Sequence, residues 1–174
     1  NYADGTIELF LSDSSGLDFQ ASQSVGGPVY ALASTKDDVT HKLIVLVGTG
    51  CSGGTQAANA VQEYDFDITS NVPPTTIPSA PVASWSVMEG STPMPTLVQD
   101  IVIDPAGGTA FVAAHKRGVH RLTIGNLNET IGNGWPITCT ASGCRYLGLL
   151  LIELPAGEVL AVAEGDPFGD GQEW

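Results

Sequence analysis

His115 and His120 are the residues whose type and spacing point most directly to metal chemistry. If Arg117-Gly118 forms a two-residue hairpin turn, the two histidines lie opposite each other on one face, with Cβ atoms about 5 Å apart. Two imidazoles placed in this way can chelate one transition metal such as copper, with a third ligand from another loop. Paired polar residues near a hairpin tip are also common without a metal, so structural or solvated histidines are the alternative.

The acidic C-terminal segment offers a second set of candidate ligands. Its carboxylates are spaced among glycines, as in loops that wrap oxygen ligands around calcium. The spacing does not follow the EF-hand template, and a solvated acidic terminus is the alternative. The candidate calcium ligands are Glu164, Asp166, Asp170 and Glu173.

Other residues suit binding better than catalysis. Trp135 stands before Pro136, and an exposed indole there can stack on the apolar face of a sugar, whereas core packing is the alternative. The glycine-rich segment 48–54 lacks the lysine of a phosphate-binding loop, and Ser52 lacks the flanking glycines of a nucleophile elbow. We therefore predict a surface loop there and assign no catalytic residue.

The cysteines favour an oxidising compartment. Cys139 and Cys144 are separated by four small, turn-forming residues, so a disulfide that closes a short loop is predicted. Cys51 is then left over, either as a buried thiol or for another pairing. Asn128 begins the single Asn-x-Ser/Thr sequon with an allowed middle residue, a glycosylation acceptor in a eukaryotic secretory pathway. These features predict a secreted or cell-surface protein.

Charge and hydropathy exclude several classes of partner. Nineteen acidic and six basic residues give a formal net charge of -13, which disfavours nucleic acids and anionic membranes. No apolar run approaches the roughly 18 residues of a membrane-spanning helix, so membrane insertion is not expected. Four of the six basic residues lie between 116 and 145, whereas the tail from 153 onward holds six acids and no base. This polarity suits head-to-tail association or cation capture.

The chain begins at Asn1 without methionine, which reads as a processed or trimmed form.

The elements that must position these residues are β-hairpins. Short apolar runs separated by Pro/Gly or polar turns recur in three segments, 28–68, 82–125 and 146–174. In the strand 61–68 the alternation predicts a wet face that carries Glu63, Asp65 and Asp67 and a buried face that carries Tyr64 and Phe66. The fold class is therefore all-β, as a single domain that spans residues 1–174.

The segments DIVIDPAGGTAFVAA and GVHRLTI resemble secreted β-propellers in their order of strand, Pro/Gly turn, strand, Gly turn and strand. The resemblance implies antiparallel four-stranded blades in a partial or assembling β-propeller, with 6–12 as a possible closing strand; a β-sandwich is the alternative. It also implies that the ligand face carries the loops 48–60, 115–118 and 164–174, which places Arg117 among the ligand-binding residues. Because three blades are fewer than a ring needs, the chain is a fragment, or another chain supplies the missing blades, or the sheets form a sandwich.

The expected function is an exported, non-enzymatic binding or assembly module that presents loops to a protein partner, a glycan or a cation. One alternative is a calcium-dependent secreted propeller hydrolase that acts on a phosphate or a lactone. Another is capture of copper or a different transition metal by the paired histidines.

Overall fold

Strands joined by turns and irregular segments make up the described structure, a computed structural model that covers residues 5–52, 55–56, 59–69, 73–106, 108–138, 145–155 and 157–165. All strand pairs within these ranges are antiparallel and no helix is present, which confirms the predicted all-β class. The described residues accordingly contain no helix with the length and hydropathy that crossing a membrane requires.

The strands follow the alternating apolar runs of the sequence. Their bounds are β1 Thr6–Asp13, β2 Gly16–Ser24, β3 Val29–Asp37, β4 Lys42–Thr49, β5 Cys51–Ser52, β6 Thr55–Gln56, β7 Val61–Asp67, β8 Ala83–Trp85, β9 Met88–Glu89, β10 Thr92–Pro93, β11 Asp100–Ile103, β12 Thr109–Ala113, β13 Val119–Thr123, β14 Asn128–Glu129, β15 Tyr146–Leu154 and β16 Gly157–Glu164.

Two four-stranded sheets form the centre of the molecule. Their strand orders are β3-β4-β7-β8 and β11-β12-β13-β14, so each is a meander in which sequential strands are neighbours. Aspartates initiate the first turn of each sheet: Asp37 accepts hydrogen bonds from the backbone N–H groups of Val39 and Thr40, and Asp104 accepts one from Ala106. The predicted hairpins at these positions are thus confirmed.

Two-stranded hairpins flank the central sheets. β15 pairs with β16, as predicted, and β1, which contains the predicted closing strand 6–12, pairs with β2. The turn between β1 and β2 is closed by Asp13, which accepts hydrogen bonds from Ser15. Within the described ranges, the outer edges of β1 and β16 pair with no further strand.

The two central sheets and the two flanking hairpins stack face to face in chain order, and each junction between them buries an apolar core. Leu46, Val61 and Ala110 lie in the core between the two central sheets. Ile7 packs on Tyr64 in the core between the first hairpin and the first sheet. A third core, against the last hairpin, includes Val119 and Tyr146 with partly buried Leu149, Leu160 and Val162.

The first strands of successive sheets lie side by side: β3 contacts β11, and β11 contacts β15. Asp100 stabilises the contact between β11 and β15, because its Oδ2 accepts a 2.8 Å hydrogen bond from the Leu149 N–H. β3, β11 and β15 thus lie along one side of the stack, and the stack is open at both ends in the described part of the chain.

Candidate functional site

The hairpin that carries the two histidines has a different register from the predicted one. Ala113 pairs with Val119 and Val112 with His120, so His115 does not lie opposite His120. The prediction of a two-residue turn is wrong because the Ala114 N–H donates to the Gly118 carbonyl and closes a longer loop. The backbone of His115 is left-handed, with a φ of 47°, and His115 forms a bridge to Tyr146 at the start of β15.

His120 instead belongs to a buried polar cluster between the central sheets. Its Nδ1 lies 2.7 Å from Glu129 Oε1 and its Nε2 lies 3.1 Å from the Arg117 carbonyl oxygen. The indole N–H of Trp85, on the first sheet, donates to Glu129 Oε2 at 3.2 Å, and the centroid of its ring lies 4.8 Å from that of His120. Both partners of the imidazole are acceptor atoms, a carboxylate oxygen and a backbone carbonyl oxygen.

This cluster has a structural role. Because both ring nitrogens of His120 are engaged, neither offers a lone pair to a metal while these hydrogen bonds persist. Glu129 connects the second sheet to Trp85 of the first, and the fixed geometry sets how the two sheets pack. Across the residues whose side chains are described, no group of three or more His, Cys, Asp or Glu is placed to hold a metal ion.

A second polar cluster contains Glu63, Asp65 and Lys42. Glu63 was predicted on a wet face, but its side chain is fully buried because β13 and the turn after it cover that face of β7. Both carboxylate oxygens of Glu63 approach the Gly125 N–H, at 3.1 and 3.0 Å. Asp65 Oδ2 lies 2.7 Å from Lys42 Nζ, whereas Asp65 Oδ1 is buried without a hydrogen-bond partner.

Burial raises the pKa of the Glu63 carboxyl above its ordinary value, since desolvation penalises the charged form. The Gly125 N–H lowers this pKa in part, and the neighbouring Asp65 raises it further. The Lys42 pKa is raised by its hydrogen bond to Asp65. The Glu63 carboxyl is thus held next to the Asp65 carboxylate. The hydrogen bonding of this pair is satisfied best when Glu63 carries a proton that it can share with Asp65.

An open cleft of about 350 Å³ lies beside this cluster. One wall carries Asp65 and Asp67, and the Pro-rich connector after β7 forms the other. Thr69 donates from its N–H and its hydroxyl to Asp67 Oδ1, and these bonds hold the pKa of that carboxyl below its usual range. Sequence reasoning missed this cleft; the signal for it was the run of prolines that follows an acidic strand.

The remaining predicted residues have varied positions. Trp135 is partly buried, and its ring packs on Phe111 with centroids 5.4 Å apart, so core packing is the role that its contacts support. Arg117 is partly buried, with a buried Nε that has no hydrogen-bond partner, and Asn128 is exposed on β14.

Several predictions fall on segments whose placement is not described. Glu164 is exposed at the end of β16, but the other predicted calcium ligands, Asp166, Asp170 and Glu173, lie outside the described residues. The predicted disulfide partners Cys139 and Cys144 also lie outside them, and only the backbone of Cys51 is described. The calcium, disulfide and glycosylation assignments therefore stay predictions.

Both flanking hairpins expose apolar side chains on the face that points away from the stack. On the last hairpin, Leu150 and Ala161 are directly paired, as are Ile152 and Val159, and Leu150 is 58% exposed. On the first hairpin, the rings of Phe10 and Phe19 pack edge to face with centroids 5.7 Å apart, and both are exposed. We name the exposed face of β15 and β16 (Leu150, Ile152, Leu154, Val159) the C-terminal surface.

Comparison with known proteins finds no match: no family model fits the sequence, and neither a curated protein nor a solved structure matches the chain. The functional argument therefore depends on the chain's own residues.

Proposed function

We propose that this chain is an exported, non-enzymatic assembly and binding module of β-propeller type. In this arrangement the sheets are blades, the shared edge of β3, β11 and β15 is the side nearest the axis, and the flanking hairpins are incomplete blades. Support comes from the order of the sheets, because successive four-stranded meanders stack face to face with their first strands adjacent.

The single observation that carries the assembly role is the exposure of the C-terminal surface. The inner face of the same hairpin packs Leu149, Leu160 and Val162 against the second sheet, whereas its outer face leaves Leu150 and Ile152 in solvent. Contiguous apolar patches of this kind mark interaction sites in soluble proteins. The free edge of β16 adds unpaired backbone groups that can pair with another strand.

Loops at one end of the stack are suited to present a ligand surface. The loop 114–118 contacts the start of β15 through the bridge between His115 and Tyr146. The end of β16 lies there as well, because the Gly165 N–H donates to the Arg145 carbonyl. Arg117 in this loop is the basic residue that we assign to an anionic group of a protein or glycan partner.

The test of the proposed function uses the mass and the dye binding of the purified chain. An assembly module either has a native mass above the 18.0 kDa of one chain or, as a monomer, binds the hydrophobic dye ANS at its uncovered surface. The double substitution Leu150→Ser with Ile152→Ser is expected to lower the mass or the dye signal, whereas Val39→Ser, in an exposed turn, is the matched control. A monomer that binds no dye contradicts the proposal.

A further inference from the structure

The two open strand edges of the chain occupy complementary positions in a four-stranded sheet. β16 follows β15 as β4 follows β3, so β16 is a second strand, and its counterparts β4 and β12 are paired on both sides. In the two complete sheets the fourth strand, β8 or β14, is followed in the chain by the first strand of the next sheet, β11 or β15. β2 is followed in the same way by β3, so β2 corresponds to a fourth strand and its partner β1 to a third strand. Second strands pair with third strands in both complete sheets.

From these positions we propose that a second copy of this chain completes each half blade, by antiparallel pairing of β16 in one copy with β1 in the other. The inference rests on the proposed assembly function and names its partner. Each copy contributes two whole sheets and two halves, so two copies form six blades in a closed ring with twofold symmetry. Closed propellers commonly contain about four to eight blades, whereas three are too few to close.

Strand lengths and side-chain faces agree with this pairing. β16 and β1 both contain 8 residues, and the register of β4 with β7, in which the first residue pairs with the last, places Gly157 opposite Asp13. Leu160, which faces the second sheet of its own copy, then lies opposite Phe10, which points away from the first sheet of the other. Residues directly opposite each other in antiparallel strands share a face, so the proposed register preserves the direction of both side chains.

The same register keeps like charges apart. The acids of β16 would face hydroxyl side chains of β1, with Glu158 opposite Ser12 and Glu164 opposite Thr6. Glu8 on β1 would face Val162. No carboxylate lies directly opposite another, although both strands are acidic, and directly opposed like charges are what destabilises a strand pair.

A gap beside the first hairpin provides the place for the incoming hairpin. Leu32 and Val47 are paired across β3 and β4 and so share a face. The first hairpin covers Val47 completely, but Leu32 is 61% exposed because this hairpin packs on β4, β7 and the start of β3 and leaves the rest of β3 uncovered. A hairpin added at the β1 edge would bring the C-terminal surface, with Leu150 and Ile152, over Leu32.

The proposal is tested with two variants that introduce opposite charges on the two surfaces, Leu32→Lys and Leu150→Asp. Both positions are exposed, so the fold is expected to be retained, which circular dichroism checks. The wild-type chain is expected to have twice the 18.0 kDa mass of one copy by light scattering, and each variant alone half of that. An equimolar mixture is expected to return to the doubled mass, because it contains one unaltered Leu32–Leu150 interface and one Lys–Asp interface.

Val39→Asp is the control, since Val39 is 90% exposed in the turn between β3 and β4. Amide hydrogen exchange supplies a second measurement: β1 and β16 are expected to be protected in the dimer and to exchange in either variant. A doubled mass that neither variant changes, or a mixture that stays monomeric, overturns the proposal. A wild-type monomer that binds ANS overturns the second copy as partner and leaves the assembly function standing, whereas a monomer without dye binding overturns both.

Discussion

Replacing the buried carboxyl of Glu63 with an amide should stabilise the protein at neutral pH. In Glu63→Gln the side-chain carbonyl can still accept from the Gly125 N–H, while the new NH₂ group can donate to the Asp65 carboxylate, whose Oδ1 is buried without a partner. Hydrogen bonds to charged groups contribute about 1.5–3 kcal/mol, and we take the lower end because the rigid strand limits adjustment. A gain of about 1.5 kcal/mol in the free energy of unfolding corresponds to a Tm rise of roughly 3–6 °C for a chain of this size.

The gain should depend on pH in a defined direction. Burial raises the pKa of Glu63 in the folded state above its ordinary value of 4.5, so the folded state keeps this proton to a higher pH than the unfolded state does. The wild-type free energy of unfolding therefore falls as the pH rises from the unfolded value through the folded value. The difference between Glu63→Gln and wild type should be small at and below pH 4.5, where the protonated acid resembles the amide, and should reach its maximum above the folded pKa.

Thermal unfolding followed by circular dichroism at pH 4.5 and at about pH 8 measures this difference. Glu89→Gln is the matched control, because Glu89 is exposed and its substitution should change stability by less than about 0.5 kcal/mol at either pH. Other carboxylates titrate in all three proteins, so the comparison isolates Glu63. A Glu63→Gln protein that is less stable than wild type at both pH values, or a gain that is equal at both, would refute the reasoning.

Three further substitutions, with one control, test how the sheets and loops are held. Glu129→Gln weakens the acceptor shared by His120 and Trp85 and should lower the free energy of unfolding by about 2 kcal/mol. Trp85→Phe removes one N–H donor and should cost about 1 kcal/mol from the hydrogen bond alone. Urea unfolding that leaves Glu129→Gln at wild-type stability contradicts the cluster's role. Gly118→Ala would place a Cβ 2.5 Å from a backbone carbonyl oxygen at a φ of +110° and should lower the free energy of unfolding by about 3 kcal/mol. The control Gly90→Ala, at a position with open space around it, should lower it by about 1 kcal/mol. Equal losses of stability in the two variants would count against this packing.

Local patterns account for the strands but not for the candidate sites. The hairpin β11–β12 could be located because Asp104 and Pro105 initiate a turn between two apolar runs. The register of the next hairpin could not, because the left-handed conformation of His115 and its bridge to Tyr146 depend on a strand some thirty residues later in the chain. In the observed register His120 lies opposite Val112, so the predicted pair of His115 with His120 is not formed.

Burial of Glu63 illustrates the same limit. Alternation assigned Glu63 and Tyr64 to opposite faces of β7, which is correct, but the pattern treats a face with acids as solvent-exposed. The first sheet has neighbours on both sides, and the turn at Gly125 supplies a donor that lets a carboxyl group be buried. An acid on a strand covered on both faces can be recognised only when the partner that covers it is known.

By itself, the sequence determined the secondary-structure class and the hairpin turns, since side-chain alternation and Asp, Pro and Gly turn chemistry act within a few residues. Only the tertiary structure decided which carboxyl is buried, which acceptors surround His120, and which strand edges stay open. These properties arise where separate sheets meet, between residues distant in the chain, and the energy of burial and of hydrogen bonding there depends on neighbours that no local pattern specifies.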